Sequence, residues 1–194
     1  MNNLINLLSE KEKHDVIYAK FKKGQIIFLE DDNCDSIGIV INGQIDIISY
    51  SFSGKEINYN SLQNGDIFGN NLLFSDSPKY KGNVISKSDS SVAFIKKDAL
   101  IKILQNNQNF LIEYLKIQSN FGKTLNARIK LLSFDNAFER FNYYMFIHQQ
   151  EIHYQSVTSL ANALFLERET LSRLLSKLEK DGVIYRDKHT IKLL

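Results

Sequence analysis

The chain has a single cysteine, Cys34, among its 194 residues, and it has no long apolar run. One thiol excludes a disulfide within the chain and a four-cysteine iron–sulfur cluster. No stretch approaches the roughly 18 apolar residues that a transmembrane helix needs, and the N-terminal residues lack the apolar segment of a signal peptide. These absences predict a cytoplasmic protein with no membrane partner.

The sequence also lacks the short motifs that mark common catalytic sites. It contains no GxxxxGK[ST], GxSxG, HExxH or paired-cysteine pattern. His14 has no second histidine at ligand spacing, and the other three histidines lie beyond residue 140. We therefore expect no enzyme, no metal site and no haem.

The net charge of +2 neither favours nor excludes a nucleic-acid partner. Arginine is scarce, with five residues against nineteen lysines, yet three of the five arginines lie in the last 27 residues. Residues 135–194 nevertheless balance eight basic residues against eight acidic ones. Any surface that binds DNA must therefore be a local face rather than a basic domain.

Two short amphipathic helices are predicted between Ser156 and Val183, joined by a tight turn. In each helix the apolar residues recur at i, i+3, i+4 and i+7, which places them on one face. These residues are Val157, Leu160, Ala161 and Leu164 in the first helix, and Leu171, Leu174, Leu175 and Leu178 in the second. Ser156 is a predicted N-cap, and Gly182 is the expected stop after the second helix. The pattern is typical of a helix-turn-helix.

Polar residues at the start of the second helix lie opposite its leucine stripe. Arg168, Glu169, Ser172 and Arg173 fall on this outer arc at 100° per residue, with Thr170 between them. The guanidinium fork of arginine matches the two acceptors of guanine in the major groove, and glutamate can accept from the cytosine amino group. The alternative is an ordinary solvated face, but the leucine stripe and the preceding helix favour contact with bases.

The run Arg168–Arg173, with the leucines that follow it, resembles the recognition helix of the Crp/Fnr family of bacterial transcription regulators. The resemblance implies that Arg168, Glu169 and Arg173 contact bases, and that Ser172 is a further candidate. It also implies that the chain binds double-stranded DNA.

Two residues of the turn depart from the family pattern. Phe165 stands where the family usually has glycine, and Glu167 stands where it usually has serine or threonine. A left-handed backbone is unfavourable for phenylalanine, and glutamate is a weaker helix cap than serine. The sequence therefore leaves the geometry of this turn open.

The N-terminal half has a different pattern. Residues 1–14 are predicted to form a short helix, and from about Val16 short runs rich in Ile, Val, Phe and Tyr alternate with turn residues. The predicted strands are Ile17–Phe21, Gln25–Leu29, Ile37–Ile41, Gln44–Tyr50, Glu56–Leu62, Asn83–Ser86 and Ser91–Ile95. Seven of the nine glycines lie between Gly24 and Gly82. Many short strands at this spacing predict an antiparallel barrel or jelly-roll.

This half resembles the cyclic-nucleotide-binding β-roll of the same family. The resemblance rests on Asp35–Ile37, Ile39–Ile45 and Gly65–Gly69, so that it extends from about Phe21 to the end of the chain. Cys34 lies in a loop of the roll, and we expect it to be an ordinary thiol because the chain has no second thiol to resolve an oxidised form.

The effector pocket is where the chain departs most from the family. Cyclic-AMP binders of the family have a glutamate for the ribose after the Gly69 position, where this chain has Asn70. Their Arg-Ser or Arg-Thr pair for the phosphate is replaced by Lys79–Gly82. Lys81 supplies a charge without the planar fork of arginine, and the Gly69-Asn70-Asn71 turn offers backbone amides to an anion. We expect no cyclic AMP here, and another effector, or none, stays open.

A long helix is predicted over Asn109–Leu132. It has two apolar tracks, Phe110, Tyr114, Ile117 and Phe121, and Leu111, Leu115, Leu125, Ile129 and Leu132. Steps of three and four residues along these tracks resemble a heptad seam. The helix needs two covering surfaces, and we expect these to be its own β-roll and the same helix of a second subunit. The alternative is a helix buried wholly within one chain.

Beyond a break at Phe134–Asn136, Asp135 or Asn136 is expected to cap a helix over Ala137–His148. Its apolar side, predicted to form the core of the second domain, is Phe138, Phe141, Tyr144, Met145 and His148. The strands predicted in this part are Glu151–Tyr154, Val183–Arg186 and Thr190–Leu194. The last two form a hairpin of the winged-helix kind, whose basic residues Arg186, Lys188, His189 and Lys192 meet phosphates or simply face solvent.

The sequence thus predicts an α+β protein with an antiparallel β-roll, a long dimerisation helix and a winged helix-turn-helix. The expected domain limits are 1–108, 109–134 and 135–194. The expected function is a homodimeric, sequence-specific transcription regulator that acts on an inverted-repeat operator, with RNA polymerase as a further partner. The alternative is a ligand-sensing or protein-interaction module whose helix-turn-helix has lost DNA binding, on the grounds of the two turn residues.

Overall fold

The structure is a computed structural model that describes residues 4–54 and 56–194. The strands are β1 (Val16–Phe21), β2 (Ile26–Phe28), β3 (Ser36–Asn42), β4 (Ile45–Tyr50), β5 (Glu56–Leu62), β6 (Ile67–Phe68), β7 (Asn83–Ser86), β8 (Ser90–Lys96), β9 (Glu151–His153), β10 (Ile184–Arg186) and β11 (Thr190–Leu193). The α-helices are α1 (Glu10–Lys13), α2 (Lys97–Asn106), α3 (Gln108–Leu132), α4 (Ala137–Ile147), α5 (Val157–Ala163) and α6 (Arg168–Lys180). The chain divides into two compact units, one ending at Ser119 and the other running from Asn120 to Leu194.

The first unit is an antiparallel β-roll made of two four-stranded sheets. One sheet has the order β1-β8-β3-β6 and the other the order β2-β7-β4-β5. In the first sheet Ile39 lies opposite both Ala93 and Ile67, so β3 is paired on its two sides. The first five residues of β3 are buried, as expected for a central strand. The predicted α+β class with an N-terminal β-roll is confirmed.

Aromatic rings form the centre of the roll. Phe28 stacks on Tyr80 with 4.5 Å between ring centroids, and it meets Phe68 and Phe94 edge-on at 6.5 and 6.0 Å. Each such pair contributes about 0.5–1.5 kcal/mol beyond the area that it buries. Gly38 of β3 makes room for this cluster, because a Cβ at that position would lie 2.2 Å from Phe68 Cζ.

The N-terminal segment differs from the single helix predicted over residues 1–14. Its described part is a 3₁₀-helix, Leu4–Leu7, followed by the separate four-residue helix α1. The Glu12 amide donates to the Ser9 hydroxyl, and the Glu12 carboxylate accepts from the Ser9 amide at 2.8 Å. This reciprocal capping box starts a new helix at Ser9 and interrupts the helical period. Residues 1–3 of the predicted helix lie outside the described residues.

Helix α3 has one covered and one open apolar track. Within the first unit Phe110 and Tyr114 are buried in the core of the β-roll, as predicted for the first track. Residues of the second track are exposed in the single chain, namely Leu115, Leu125, Ile129 and Leu132. Within the part of the chain that the structure describes, these four side chains of α3 have no apolar cover.

The second unit has its own core, to which α4, α5, α6 and the three-stranded sheet β10-β11-β9 contribute. Asn136 caps α4, since its side chain accepts from the Glu139 amide at 2.9 Å. Phe141 and Met145 of α4 are buried as predicted, whereas Phe138 and His148 are exposed, so the predicted apolar side was too wide. The hairpin of β10 and β11 is closed by a hydrogen bond from the Asp187 amide to the Thr190 carbonyl at 2.9 Å.

Across residues 4–54 and 56–194, none of the helices combines the length and the apolar character that crossing a membrane demands.

Replacing Gly38 by alanine should destabilise the β-roll. The new methyl group would overlap the Phe68 ring in a core with no room for it, and such overpacking costs about 1–3 kcal/mol. Thermal unfolding followed by circular dichroism measures the effect. Lys20→Ala is the control, because Lys20 is exposed on β1 of the same sheet and such surface substitutions usually change stability by about 0.5 kcal/mol or less. A Gly38→Ala variant that unfolds at the wild-type temperature would show that the contact is relieved at no cost.

Candidate nucleic-acid interface

The first helix of the helix-turn-helix is α5, which begins with a reciprocal cap. The Ser159 amide donates to the Ser156 hydroxyl at 3.0 Å, and the Ser156 amide donates to the Ser159 hydroxyl at 3.1 Å. This is a capping box in which serine takes the usual place of glutamate. Leu160, Ala161 and Leu164 of this helix are buried, so its apolar face lies in the core as the spacing predicted.

The turn after α5 is formed without glycine. Phe165 has the left-handed φ of 52°, which phenylalanine rarely adopts. The Leu166 amide donates to the Ala161 carbonyl at 2.9 Å, and the Phe165 amide donates to the Asn162 carbonyl at 3.1 Å. This pair of bonds defines a Schellman motif, in which a left-handed residue ends the helix. The turn between α5 and α6, whose geometry the sequence left open, thus ends α5 in the regular way. Phe165 takes the left-handed position that glycine usually occupies.

The second helix is α6, which begins at Arg168. Glu167 is its N-cap residue, and the Glu167 side chain makes no capping hydrogen bond, in keeping with the weak cap expected of glutamate. The leucines of the inner stripe hold the helix instead, since Leu171, Leu175 and Leu178 are buried. Burial of this stripe fixes which face of α6 is turned outward.

The predicted base-contacting residues lie together on the outer face of α6. Arg168, Glu169 and Arg173 are exposed, whereas Thr170 and Ser172 are half-buried. Arg168, Glu169, Ser172 and Arg173 line one concave surface of about 500 Å³, and Thr170 does not contribute to it. The Arg173 Nε donates to the Glu169 carbonyl at 3.4 Å, which holds the guanidinium alongside its own helix. The surface therefore offers two guanidinium groups, a carboxylate and a hydroxyl within one turn and a half of helix.

A second concave surface, of about 430 Å³, lies at the wing. Its lining includes Ser156, the cations Arg186 and Lys188, and the carboxylates Glu179 and Asp187. The other two basic residues of the predicted wing are engaged by the protein, since Lys192 Nζ lies 3.1 Å from Glu151 Oε2 and His189 Nδ1 lies 3.2 Å from the Tyr154 carbonyl. Arg186 and Lys188 are thus the wing cations that share a surface with the start of α5.

In the β-roll, the residue in the place of the ribose-binding glutamate is buried against α3. Asn70 is 5% exposed, and its amide donates to Gln118 Oε1. Gln118 Nε2 donates in return to the Asn70 carbonyl at 3.0 Å, and the Tyr114 hydroxyl lies 3.5 Å from the same carbonyl. Two hydrogen bonds, one to the Gln118 side chain and one from it, therefore join Asn70 to α3. No sequence pattern indicated that Gln118 would be the partner.

The stretch in the place of the phosphate-binding Arg-Ser pair presents a buried phenol. Tyr80 is 2% exposed, and its hydroxyl lies 3.4 Å from the position of a Cβ at Gly69. Burial raises the pKa of Tyr80 and raises the pKa of Tyr114 to about 12, so both phenols are neutral at physiological pH. Of the four residues of the predicted effector pocket, Gly69 and Asn70 are buried, whereas Asn71 and Lys81 are exposed.

This donor set lacks the glutamate and the arginine that hold a cyclic nucleotide in the cyclic-AMP binders of the family. A cyclic phosphate is held by a charged, forked donor, and a ribose diol by a carboxylate. At the two places concerned the chain has a neutral phenol inside the core and an amide already bonded to Gln118.

Cys34 is 3% exposed and lies beside the turn at Gly69. Its Sγ donates weakly to the Ser36 carbonyl at 3.4 Å and to the Gly69 carbonyl at 3.5 Å. Burial raises the pKa of the thiol, so the reactive thiolate is scarce at neutral pH. In the described residues no three side chains of His, Cys, Asp or Glu come together as metal ligands would.

A β-roll joined by a long helix to a winged helix-turn-helix defines a class of protein, the bacterial transcription regulators that combine a sensing domain with a DNA-binding domain. Comparison with known families gives the same result for each half. Residues 18–107 match the cyclic nucleotide-binding domain, and residues 159–184 match the bacterial regulatory proteins of the crp family. The chain belongs to the Crp/Fnr family of transcription regulators.

One curated relative and several solved structures of the same fold are similar to the chain. The chain is 26% identical over 179 residues to the anaerobic regulatory protein of Bacillus subtilis. The aligned segment covers 87% of this chain and 75% of that protein. Among solved structures, a CooA mutant from Carboxydothermus hydrogenoformans covers 100% of this chain and 91% of its own length, at 19% identity and a TM-score of 0.76. The catabolite activator protein of Thermus thermophilus covers 100% of this chain and 94% of its own length, at 19% identity and a TM-score of 0.58.

Cys34 should react slowly with thiol reagents in the folded protein. Its burial and raised pKa both lower the concentration of accessible thiolate, so at pH 8 Ellman's reagent should modify it at least about tenfold more slowly than after unfolding in guanidinium. Because the pKa is raised, the rate should still be climbing as the pH passes 9. Cys34→Ser supplies the blank, and equal rates in the folded and unfolded protein would mean that the thiol is open to solvent.

Proposed function

We propose that this regulator binds an inverted-repeat operator as a homodimer and that Arg168, Glu169, Ser172 and Arg173 contact its bases, with Thr170 beside them. The observation that supports this most is the shared concave surface of the four side chains, outside a stripe of buried leucines. A recognition helix presents its N-terminal residues to base edges in the major groove. As a reader of duplex DNA in a bacterium, the protein acts in the cytoplasm.

The chemistry of the surface specifies the half-site. Each arginine offers a bidentate pair of donors that fits O6 and N7 of guanine, and Glu169 accepts from the amino group of cytosine. We infer that each half-site contains at least one guanine contacted by Arg168 or Arg173. At the wing, Arg186 and Lys188 are the cations suited to phosphates, which position the protein without selecting a sequence. Glu179 and Asp187 line the same surface, so its charge is balanced and it is not a basic patch.

Dimer formation through α3 accounts for the open apolar track. Leu115, Leu125, Ile129 and Leu132 stand at steps that fit a heptad seam, with Gly122 at an intervening position, whereas Gln118 interrupts the seam and bonds to Asn70 of the β-roll. A second copy of α3 would cover these side chains, and two recognition helices would then enter major grooves about 34 Å apart. RNA polymerase, a partner of many regulators of this kind, stays a proposal without a defined contact surface.

The β-roll responds to something other than a cyclic nucleotide, or to nothing, in this proposal. Two features support this part of the proposal: Tyr80 is buried, and Asn70 and Gln118 are joined by two hydrogen bonds. Those bonds join the turn after β6 to α3, so a change at the turn would act directly on the helix.

The alternative of a helix-turn-helix that has lost DNA binding rested on the two unusual turn residues. The Schellman bonds around Phe165 and the buried leucines of α6 remove that argument, because the turn and the helix are both formed.

Replacing Arg168 or Arg173 by alanine should weaken binding to the preferred operator by about 1–3 kcal/mol and relax the base preference at the contacted position. Removing a bidentate donor leaves the guanine acceptors unpaired in the groove, whereas contacts to phosphates are unchanged. Fluorescence anisotropy at fixed salt, on an operator selected from random duplexes and on scrambled DNA, measures both affinities.

Lys180→Ala is the matched control, because Lys180 is an exposed cation at the far end of the same helix. It should leave the operator preference unchanged. An equal loss on operator and scrambled DNA for the arginine variants would assign these residues to phosphates and reject the base-contact assignment.

Ile129→Asp should convert the dimer into a monomer. Ile129 is 64% exposed in the single chain, and a carboxylate placed in an apolar seam has no partner there. Analytical ultracentrifugation gives the mass, with Lys123→Asp as the control because Lys123 lies on the opposite side of α3. A wild-type mass in the Ile129→Asp variant would place the dimer interface elsewhere.

A further inference from the structure

Arg140 of α4 bonds two carbonyls that are far apart in sequence. Its Nε donates to the Phe134 carbonyl at 3.1 Å, and its Nη1 donates to the Phe165 carbonyl at 2.9 Å. Phe134 lies in the break between α3 and α4, and Phe165 is the left-handed residue of the helix-turn-helix. One side chain therefore joins the end of the long helix to the turn that precedes the recognition helix.

The turn at Phe165 needs this support more than a glycine turn would. Glycine adopts the left-handed region freely, whereas a residue with a Cβ is strained there. The amides of Phe165 and Leu166 are used within the Schellman motif, and the carbonyl of Phe165 is the group that Arg140 binds. A hydrogen bond from a charged donor is stronger than one between neutral groups, so it stabilises the strained backbone selectively.

The geometry of the contact suits arginine in particular. The guanidinium presents Nε and Nη1 as rigid donors in one plane, and each meets a different carbonyl. A lysine ammonium at this position is a flexible point charge that lacks the paired, pre-organised donors. Arg140 is half-buried and does not line the concave surface of Arg168, Glu169, Ser172 and Arg173.

From these contacts we infer that Arg140 is a positioning residue for DNA recognition, a role that rests on the proposed function. It holds the left-handed turn at Phe165 and thereby sets the orientation of α6, without touching DNA itself. Through the Phe134 carbonyl it also fixes the turn to the break after α3, so that displacement of the end of that helix is transmitted to the recognition helix.

A double-mutant cycle between Arg140 and Phe165 tests this role. Arg140→Met keeps the length of the aliphatic stem and removes both donors, and Phe165→Gly relieves the left-handed strain. Arg140→Lys keeps the charge and loses the fork. The four forms of the cycle and the lysine variant are compared for affinity to the selected operator and to scrambled DNA at one salt concentration, together with their thermal unfolding midpoints.

Arg140→Met should lower operator affinity about tenfold, the size expected for loss of a charge-assisted hydrogen bond, and should change affinity for scrambled DNA less than twofold. Arg140→Lys should not restore the wild-type affinity. Phe165→Gly alone should stay close to wild type, and its addition to Arg140→Met should recover most of the lost operator affinity, because a glycine turn no longer depends on the guanidinium.

Three results overturn the inference. Unchanged operator affinity in Arg140→Met shows that the contact does not position the helix. An equal loss on operator and scrambled DNA shows that Arg140 contacts phosphate directly. Additive effects of the two substitutions show that Arg140 and Phe165 are not coupled.

Failure of the proposed function gives a distinct outcome. In that case the wild-type protein binds all duplexes with the same affinity, and no preferred operator can be selected. That result also rejects the recognition role of Arg140. The thermal midpoints of the cycle still decide whether the guanidinium supports the turn.

Discussion

Burial of the leucine stripe of α6 is the constraint on which the DNA-binding face depends. Leu171, Leu175 and Leu178 are in the core of the second unit, and each such side chain contributes about 1.5–3 kcal/mol when removed from water. The missing side-chain cap at Glu167 costs only about 1 kcal/mol by comparison. The leucines therefore determine the rotation of the helix, and the period of 3.6 residues then turns Glu169 and Arg173 outward. Arg168 is exposed as the first residue of the helix.

The turn before α6 shows how a locally unfavourable sequence is accommodated by its surroundings. Phe165 adopts a backbone conformation that favours glycine, and the two Schellman bonds and the guanidinium of Arg140 act on that single turn. Strained backbone persists where the neighbouring structure over-determines it, and such positions often lie next to functional sites. In the β-roll, Asn70, which is hydrogen-bonded to Gln118, and the buried Tyr80 lie where cyclic-AMP binders have charged groups.

Most of the fold could be predicted from local patterns. Strands bounded by glycine turns and helices with regular leucine spacing agree with the structure to within one or two residues. Prediction failed where a local signal was overlooked, as at the Ser9 capping box, or where the element was very short, as in β6. The contacts of Asn70 with Gln118 and of Arg140 with Phe165 join residues 48 and 25 positions apart, and periodicity holds no information about such pairs.

Methylation interference on an operator selected from random DNA tests the central claim most directly. Dimethyl sulfate methylates guanine at N7 in the major groove and adenine at N3 in the minor groove, and a methyl group at N7 blocks the bidentate contact of an arginine. If the outer face of α6 enters the major groove, methylated guanines should be excluded from the bound fraction at symmetric positions in both half-sites. Exclusion of methylated adenines alone, or of no base at all, would contradict the account.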